Sequence, residues 1–224
     1  MQCVILAAGH GKRLRPYTEV TPKHLLEIDG RPLLEHTLMH LPDEIDQVIL
    51  VVGWLGEKIR ERFGDAFLGR PIVYVEQTER LGTGHALTLC RELVHDKFVV
   101  MMGDNIYDEK DIKKCLKRDL CILVREVPNP QDFGVTEINE DGSMKNVVEK
   151  PHNSNSNLVN TALYVLDKRF FDYSLAKIAS GEYGLPQTMA KMAKDHKIQI
   201  ETTSFWLPVD TQEDLCRARE FFQI

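Results

Sequence analysis

The sequence predicts an α/β fold with an open, mainly parallel mixed sheet flanked by helices. Apolar runs at residues 2–8 and 47–52 have the length of strands that are buried on both faces. Between them, residues 31–41 carry leucines at helical spacing. Strands that alternate with helices in this way pair in parallel through right-handed crossovers, which place helices on both sides of the sheet.

The same alternation continues to residue 127. After residues 47–52 the patterns predict helix 55–63, strand 72–76, helix 84–94, strand 97–102, helix 111–117 and strand 120–127. Beyond Pro128, alternating segments at 134–138 and 144–149 flank a turn sequence and predict an antiparallel hairpin. Strand 158–166 and helices 185–194 and 211–222 follow. Nothing marks a linker, so a single domain is expected over residues 1–224.

The composition excludes several classes of protein. A formal net charge of -6 and the lack of a long basic stripe argue against nucleic-acid binding. No apolar run of about 18 residues and no signal peptide are found, so we expect a cytoplasmic protein without a membrane partner. The five cysteines are scattered and show no C-x-x-C spacing, which predicts reduced thiols.

A glycine-rich basic segment follows the first predicted strand, with the sequence LAAGHGKRLRP at residues 6–16. Gly9 and Gly11 can turn the chain so that backbone N–H groups converge on an anion, and Arg13 and Lys23 would add positive charge. The P-loop pattern G-x-x-x-x-G-K-[ST] is absent, and no third glycine completes a dinucleotide fingerprint. Taken alone, the segment also fits an ordinary turn with solvated basic side chains.

Together with Thr-Pro-Lys at residues 21–23, this segment resembles the signature of the sugar-1-phosphate nucleotidyltransferase family, L-A-A-G-x-G-x-R-L-x-P followed by T-P-K. The resemblance implies a Rossmann-like nucleotidyltransferase fold in which Arg13 and Lys23 are catalytic and hold the phosphates of the nucleotide and of the leaving pyrophosphate. It also implies that the nucleotide is bound along Leu6, Ala7, Ala8, Gly9 and Gly11.

A base pocket is expected at Gln77, which lies five positions before Gly82 and Thr83. In enzymes that this sequence resembles, a glutamine and a glycine at this separation hydrogen-bond a uracil or thymine ring, so UTP or dTTP is favoured. A surface glutamine before an ordinary helix start is the simpler alternative. His85, in the first turn of that helix, is expected to be structural or to act through a neighbouring site residue, and not to be catalytic. His10, His24 and His36 are expected to be structural or surface residues.

Two carboxylates are expected to bind Mg²⁺. Asp104 follows the strand at 97–102, at the edge where ligands bind in open α/β sheets, and it is also expected to face the substrates. Asp210 precedes the last helix, where the alternative is an N-cap role; Thr211 can serve as the cap and leave Asp210 free. The family resemblance implies the metal role for both, and Mg²⁺ takes one or two carboxylates together with substrate phosphates.

The acceptor side is expected in the second half of the chain. Glu149 and Lys150 in an E-K-P sequence resemble the family element that contacts the sugar hydroxyls and the sugar phosphate, with Lys150 catalytic. Gly134 and Asn160 match further sugar-binding positions. Where the family has glycine two residues after the asparagine, this sequence has Ala162, and its methyl group leaves the shape of the acceptor open.

The expected reaction joins a nucleoside triphosphate to a sugar 1-phosphate, with residues 1–127 forming the nucleotide-binding half and residues 128–224 the acceptor-binding half. The alternative is a cytidylyltransferase acting on phosphocholine or inositol phosphate. A metal-dependent glycosyltransferase is a more distant reading, and so is a non-catalytic nucleotide-binding regulator. The resemblance is to compact members without a β-helix extension, and the sequence leaves open whether the protein is a monomer or a homo-oligomer.

Overall fold

The computed structural model describes residues 1–223, and Ile224, the last residue of the predicted domain, lies outside the described part. Six α-helices occur in the described residues, together with several short 3₁₀ helices that include Lys12–Leu14, Tyr17–Glu19 and Lys23–Leu25. None of the helices within residues 1–223 is long and apolar enough to cross a membrane. The α-helices are α1 (Leu33–Met39), α2 (Gly56–Phe63), α3 (Thr83–Thr88), α4 (Glu109–Leu116), α5 (Leu185–Met192) and α6 (Gln212–Phe222).

The strands of residues 1–223 form one large sheet and three small ribbons. In chain order they are β1 (Gln2–Ala7), β2 (Glu27–Ile28), β3 (Arg31–Pro32), β4 (Gln47–Val52), β5 (Ala66–Phe67), β6 (Arg70–Glu76), β7 (Lys97–Met102), β8 (Asn105–Tyr107), β9 (Cys121–Glu126), β10 (Gly134–Ile138), β11 (Met144–Glu149), β12 (Leu158–Asp167), β13 (Ala176–Lys177), β14 (Tyr183–Gly184), β15 (Gln199–Thr202) and β16 (Trp206–Pro208).

The large sheet has ten strands, with the order β11-β10-β12-β7-β1-β4-β6-β5, while β9 pairs with β12 and β15 pairs with β9. Strands β7, β1, β4 and β6 run parallel. Strand β12 is antiparallel to β7, and β10 and β11 form the predicted antiparallel hairpin. The open, mainly parallel mixed sheet is therefore confirmed. Because the parallel strands point the same way, the loops after β1, β4, β6 and β7 meet at one edge.

The two faces of the sheet bury alternate residues of each strand. On β1, Cys3 and Ile5 belong to one core cluster, whereas Val4 and Leu6 belong to the cluster on the other face. Since both faces are covered, β1 reads as a continuous apolar run. A third, smaller cluster includes Leu14 and packs the segment after β1 against α6.

The structure differs from the sequence prediction in some elements. The helix predicted at 84–94 ends at Thr88, and residues 89–94 continue as tight turns. Strand β15 and the short ribbon of β8 with β16 lie in segments for which the sequence predicted no strand. Cys3, Cys90, Cys115 and Cys121 are buried free thiols, as expected, and Cys216 is an exposed one.

Candidate active site

The segment after β1 is held in a compact loop. Gly11 has φ +61°, and a Cβ added there would lie 2.9 Å from Thr18 Cγ2 and 3.1 Å from Lys23 Cβ. Only glycine combines this backbone conformation with so little space. The Thr18 hydroxyl donates a hydrogen bond of 2.8 Å to the Gly11 carbonyl. The loop from residue 8 to residue 23 thus folds back on itself and brings Gly11 next to Lys23.

Lys23 lies between two carboxylates that are far from it in sequence. Its Nζ is 2.6 Å from Asp104 Oδ2 and 2.8 Å from Asp210 Oδ1. The Arg13 guanidinium is 2.9 Å from the same Asp210 oxygen. The Lys23 side chain is only 5% exposed, whereas those of Asp104 and Asp210 are 18% and 42% exposed. The four residues form one cluster of two cations and two anions, with Lys23 at its buried end.

The ribbon of β8 and β16 brings the two carboxylates together. Pro208 pairs with Asn105, and the Val209 amide donates to the Asp104 carbonyl over 3.0 Å. Asp210 therefore lies two residues after the end of β16, whose last residue pairs with the residue after Asp104. Local patterns did not predict this pairing because each strand has only three residues.

Thr211 caps α6 and leaves the Asp210 side chain free, as the sequence predicted. The Thr211 hydroxyl accepts from the Asp214 amide, and the Asp214 carboxylate accepts from the Thr211 amide, which completes a capping box. Asp214 Oδ2 also accepts from the Asp210 amide at 3.0 Å. These bonds orient the backbone of Asp210 while its carboxylate turns toward Lys23.

The charges of the cluster shift the pKa values of its members. Burial opposes the charged form of Lys23, but Asp104 and Asp210 outweigh it and raise the lysine pKa. Burial likewise opposes ionisation of Asp210, yet Lys23 and then Arg13 lower its pKa. Lys23 and Asp210 are therefore both charged at neutral pH, which makes Lys23 a positive charge between the two carboxylates.

His24, the neighbour of Lys23, is fully buried, and burial lowers the pKa of its imidazole to about 4. His36 is also buried and bonds the Ile28 carbonyl through Nε2 at 2.8 Å. Both rings pack inside the protein, which agrees with the structural roles expected from the sequence.

On the base side, Gln77 is buried and does not lie on the surface. Its Nε2 is 3.1 Å from the Gly82 carbonyl and 3.2 Å from His85 Nδ1. Gly82 has φ +97°, and a Cβ there would lie 2.5 Å from the Tyr183 carbonyl oxygen. The Thr83 hydroxyl accepts a hydrogen bond from the backbone amide of Leu185, the first residue of α5. Gln77, Gly82 and Thr83 thus form one packed unit.

On the acceptor side, three of the predicted residues lie together. Gly134 pairs with Glu149, and the Glu149 carboxylate oxygen Oε2 lies 3.1 Å from the position of a Cβ on Gly134. The Cβ of Asn160 is 3.9 Å from that position. The Asn160 amide is already engaged, because Oδ1 accepts from the Ala162 amide at 2.9 Å and Nδ2 donates to the Tyr164 hydroxyl at 2.8 Å. Tyr164 therefore orients Asn160.

Two residues of the acceptor side have the left-handed backbone that glycine prefers. Lys150 has φ +43° and Ala162 has φ +61°. Such a conformation costs a non-glycine residue about 1–2 kcal/mol. The Lys150 side chain is exposed, and none of the described residues forms an ion pair with it. Unlike Arg13, Lys150 therefore makes no ion pair with Asp104 or Asp210.

The acceptor side is tied to the Lys23 cluster through Tyr107. The Tyr107 hydroxyl donates a hydrogen bond of 2.7 Å to the Thr161 carbonyl, next to Asn160. Tyr107 ends β8, which begins one residue after Asp104. Sequence reasoning missed Tyr107 and Tyr164, although the apolar strand pattern around Tyr164 places it inside the protein.

The donor atoms near Lys23 fit a hard divalent cation. Asp104 Oδ2 and Asp210 Oδ1 both lie within 2.8 Å of Lys23 Nζ, so the two carboxylates already share one positive charge. Groups of three or more His, Cys, Asp or Glu side chains suited to a metal do not occur within residues 1–223. Two carboxylates suit a cation that takes its other ligands from water and from phosphate oxygens. Nucleotidyltransferases of this type generally use a divalent metal ion.

Comparison with known proteins identifies the family of this chain. The sequence model of the nucleotidyl transferase family matches residues 2–223. The UTP–glucose-1-phosphate uridylyltransferase AglF of Haloferax volcanii is 38% identical over 235 residues, covering 100% of this chain and 97% of that protein. The bifunctional protein GlmU of Methanocaldococcus jannaschii is 35% identical over 225 residues, covering 99% of this chain but only 54% of the relative.

A solved structure supports the same assignment. A Bacillus anthracis protein described as a candidate glucose-1-phosphate thymidylyltransferase superposes with a TM-score of 0.88 at 28% identity, covering 99% of this chain and 94% of that one. The structure of a UDP-glucose pyrophosphorylase, at 21% identity and a TM-score of 0.86, shares the fold. The family match, the fold and the order of the motifs agree, and the chain belongs to the nucleotidyl transferase family.

Proposed function

We propose that this protein joins a nucleoside triphosphate, with UTP or dTTP favoured, to a sugar 1-phosphate and releases pyrophosphate. The observation that carries the proposal is the convergence of Arg13, Lys23, Asp104 and Asp210 beside residues 8–18, which we call the glycine loop. Residues from three distant parts of the chain form this cluster at the edge where the parallel strands end. The printed activity of AglF, uridylyl transfer to glucose 1-phosphate, is of the proposed kind.

In the proposed reaction, a phosphate oxygen of the sugar 1-phosphate attacks the α-phosphorus of the nucleotide. A new P–O bond forms, and the bond from the α-phosphorus to the bridging oxygen breaks as pyrophosphate leaves. The attacking phosphate is already an anion, so it needs no general base. The protein has to position two phosphates and balance their charge. Arg13 and Lys23 supply fixed positive charge at the nucleotide, and Lys150 supplies it at the acceptor.

We infer that Asp104 and Asp210 hold Mg²⁺. The ion would supply further positive charge at the phosphates when it is bound. Lys23 bonds the carboxylates of both Asp104 and Asp210, and Lys23 and Arg13 together balance their negative charge. Arg13, at 61% side-chain exposure, is free to turn from Asp210 toward an entering phosphate.

The two substrates are assigned to opposite sides of the Lys23 cluster. The nucleotide side comprises residues 1–127, where Leu6, Ala7, Ala8, Gly9, Gly11, Gln77, Gly82 and Thr83 would line the nucleotide. The acceptor side comprises residues 128–224, where Gly134, Glu149 and Asn160 would contact the sugar. Asp210 belongs to the second half by sequence but lies at Lys23, so the site needs both halves. Nucleoside triphosphates are made in the cytoplasm, where we expect the protein to act.

The test is pyrophosphate release from each nucleoside triphosphate mixed with a panel of sugar 1-phosphates, phosphocholine and inositol phosphate. UTP or dTTP with a hexose 1-phosphate should give the largest kcat/KM. Turnover with CTP and phosphocholine alone would establish the alternative acceptor class, which the methyl group of Ala162 leaves open.

The variant Asp104→Asn should lower kcat/KM by about 10²–10³-fold, as expected for loss of one transition-state charge contact. Asp108→Asn is a matched control, since Asp108 caps α4 through its side chain and asparagine caps helices equally well. Equal activity of the two variants would contradict the role proposed for Asp104.

A further inference from the structure

We propose that Trp54 is a positioning residue that holds the glycine loop against residues 77–82, which we call the base-side loop. The phosphates and the base of a nucleoside triphosphate would then both meet a preformed site. Trp54 lies two residues after the end of β4, at the same sheet edge as the cluster around Lys23. The inference rests on the proposed nucleotidyl transfer, and it adds a residue that neither the motifs nor the comparisons identify.

The backbone and indole of Trp54 bond both ends of the glycine loop. The Trp54 amide donates to the Ala8 carbonyl at 3.4 Å, and the indole Nε1 donates to the Thr18 carbonyl at 3.1 Å. Thr18 in turn donates its hydroxyl to the Gly11 carbonyl. A chain of hydrogen bonds therefore runs from Trp54 through Thr18 to the middle of the loop.

The opposite side of the loop contacts Lys23. The Cβ position of Gly11 lies 3.1 Å from Lys23 Cβ, and 2.9 Å from Thr18 Cγ2. Gly11 is thus confined between Thr18, which Trp54 bonds, and Lys23, which binds the two carboxylates. Loss of the indole hydrogen bond would free Thr18, which confines Gly11 on one side, and would leave Lys23 in place on the other side.

The ring of Trp54 also contacts the base-side loop. The Arg80 guanidinium lies 5.7 Å from the centre of the Trp54 ring, and Arg80 is three residues after Gln77. The His10 ring lies 4.6 Å from the Trp54 ring at an angle of 37°. Cation–aromatic contacts of this kind contribute modestly at exposed positions. Here the Trp54 ring connects the glycine loop, through His10, with the base-side loop, through Arg80.

The electrostatic surroundings of His10 agree with a phosphate nearby. Burial lowers the pKa of His10, and the positive charges of Arg80, Lys12 and Arg15 lower it further. The positive potential that these three residues create around His10 favours an anion near the His10 and Trp54 rings.

The experiment compares Trp54→Phe with the wild type in the pyrophosphate assay. Phenylalanine keeps an aromatic ring for His10 and Arg80 but removes the donor to Thr18. We expect the KM of the nucleotide to rise about fivefold, the effect of one lost hydrogen bond, while the KM of the acceptor stays within about twofold. A purely structural tryptophan would lower the unfolding midpoint and leave both KM values unchanged, which would overturn the inference.

Tyr74→Phe is the matched control. The Tyr74 hydroxyl donates to the Gly64 carbonyl at 2.7 Å, and Arg60 lies 4.6 Å from the centre of its ring. The substitution removes one aromatic donor to a backbone carbonyl, beside an arginine, away from the glycine loop. It should leave both KM values unchanged.

A second variant keeps the test independent of the folding of Trp54→Phe. Thr18→Val preserves the carbonyl that Trp54 bonds but removes the hydroxyl that bonds Gly11. It should raise the nucleotide KM by a similar factor, and the double variant should resemble either single one because the bonds form one chain. If the two increases in the nucleotide KM multiply in the double variant, the two hydrogen bonds act independently, and the proposed chain of hydrogen bonds is refuted. A wild type that releases no pyrophosphate from any pair would refute the proposed function instead.

Discussion

Lys23→Met removes the ammonium group that two carboxylates share and keeps most of the apolar stem. Removing one partner of a buried ion pair costs about 3–5 kcal/mol, because it leaves an unbalanced charge. Lys23 is 5% exposed, which favours a large effect, but Asp210 is 42% exposed and keeps its contact with Arg13. We therefore expect the lower end, a loss of about 3 kcal/mol in the free energy of unfolding at pH 7.

The loss should depend on pH. Lys23 and Arg13 hold the pKa of Asp210 below its ordinary value of 3.8. The resulting stabilisation is present above the carboxyl pKa of the unfolded chain and disappears as the pH falls through the lowered pKa of the folded state. The pKa of Lys23 is raised above 10.5, so its contribution is present below that value and disappears as the pH rises through the raised pKa. The gap between wild type and variant should narrow from pH 7 toward pH 3.

The assay is urea denaturation followed by circular dichroism at several pH values, with and without Mg²⁺. Without Lys23 the two carboxylates lack their shared cation, so Mg²⁺ should stabilise the variant more than the wild type. The gain is about 1.4 kcal/mol when free Mg²⁺ is ten times its dissociation constant. Lys113→Met removes an exposed ion pair to Glu109 and should leave the denaturation midpoint unchanged.

A variant within about 0.5 kcal/mol of the wild type at pH 7 would refute the reasoning, because an ammonium this buried cannot be removed from two carboxylates at so small a cost. A gap that widens at low pH would refute the assignment of the effect to ionised carboxylates.

Three further outcomes follow from the same structure. Gly82→Ala should lower the free energy of unfolding by about 2–3 kcal/mol in urea titrations, since its Cβ would meet the Tyr183 carbonyl at φ +97°, whereas Gly142→Ala, at φ +76° in open space, should cost only about 1 kcal/mol. Thr211→Ala should cost about 1 kcal/mol through the lost helix cap, and an unchanged thermal midpoint would contradict the capping role. Ala162→Gly should alter the KM of the acceptor and leave that of the nucleotide unchanged, as steady-state kinetics can show.

Much of the fold could be predicted because the strands of the first half are buried on both faces. Residues 48–52 and 98–102 are continuous apolar runs, and the strands begin one residue earlier, with the predicted bounds 47–52 and 97–102. The hairpin was predictable for another reason, since its turn sequence and alternation are local signals. Strand β15 was missed because it lies at the sheet edge and carries a mixed polar sequence, Gln-Ile-Glu-Thr.

The candidate site, like the fold, could be predicted only in part. The order of Gly11, Lys23, Gln77, Asp104 and Asp210 is a property of the sequence, and so is the chemical type of the side chains that we assign to phosphate, base and metal. The buried position of Gln77 is not a property of the sequence alone. It arises only in the packed structure, where the Gln77 amide forms hydrogen bonds with Gly82 and His85.

The sequence by itself determined the alternation of strands and helices and the chemical character of each motif, since both depend on residues close together in the chain. Only the tertiary structure decided that Lys23 would lie between Asp104 and Asp210, at 2.6 and 2.8 Å. That arrangement depends on two three-residue strands separated by about half of the chain. Such short strands carry too few residues for a local pattern, and their pairing becomes favourable only when the rest of the fold has brought them together.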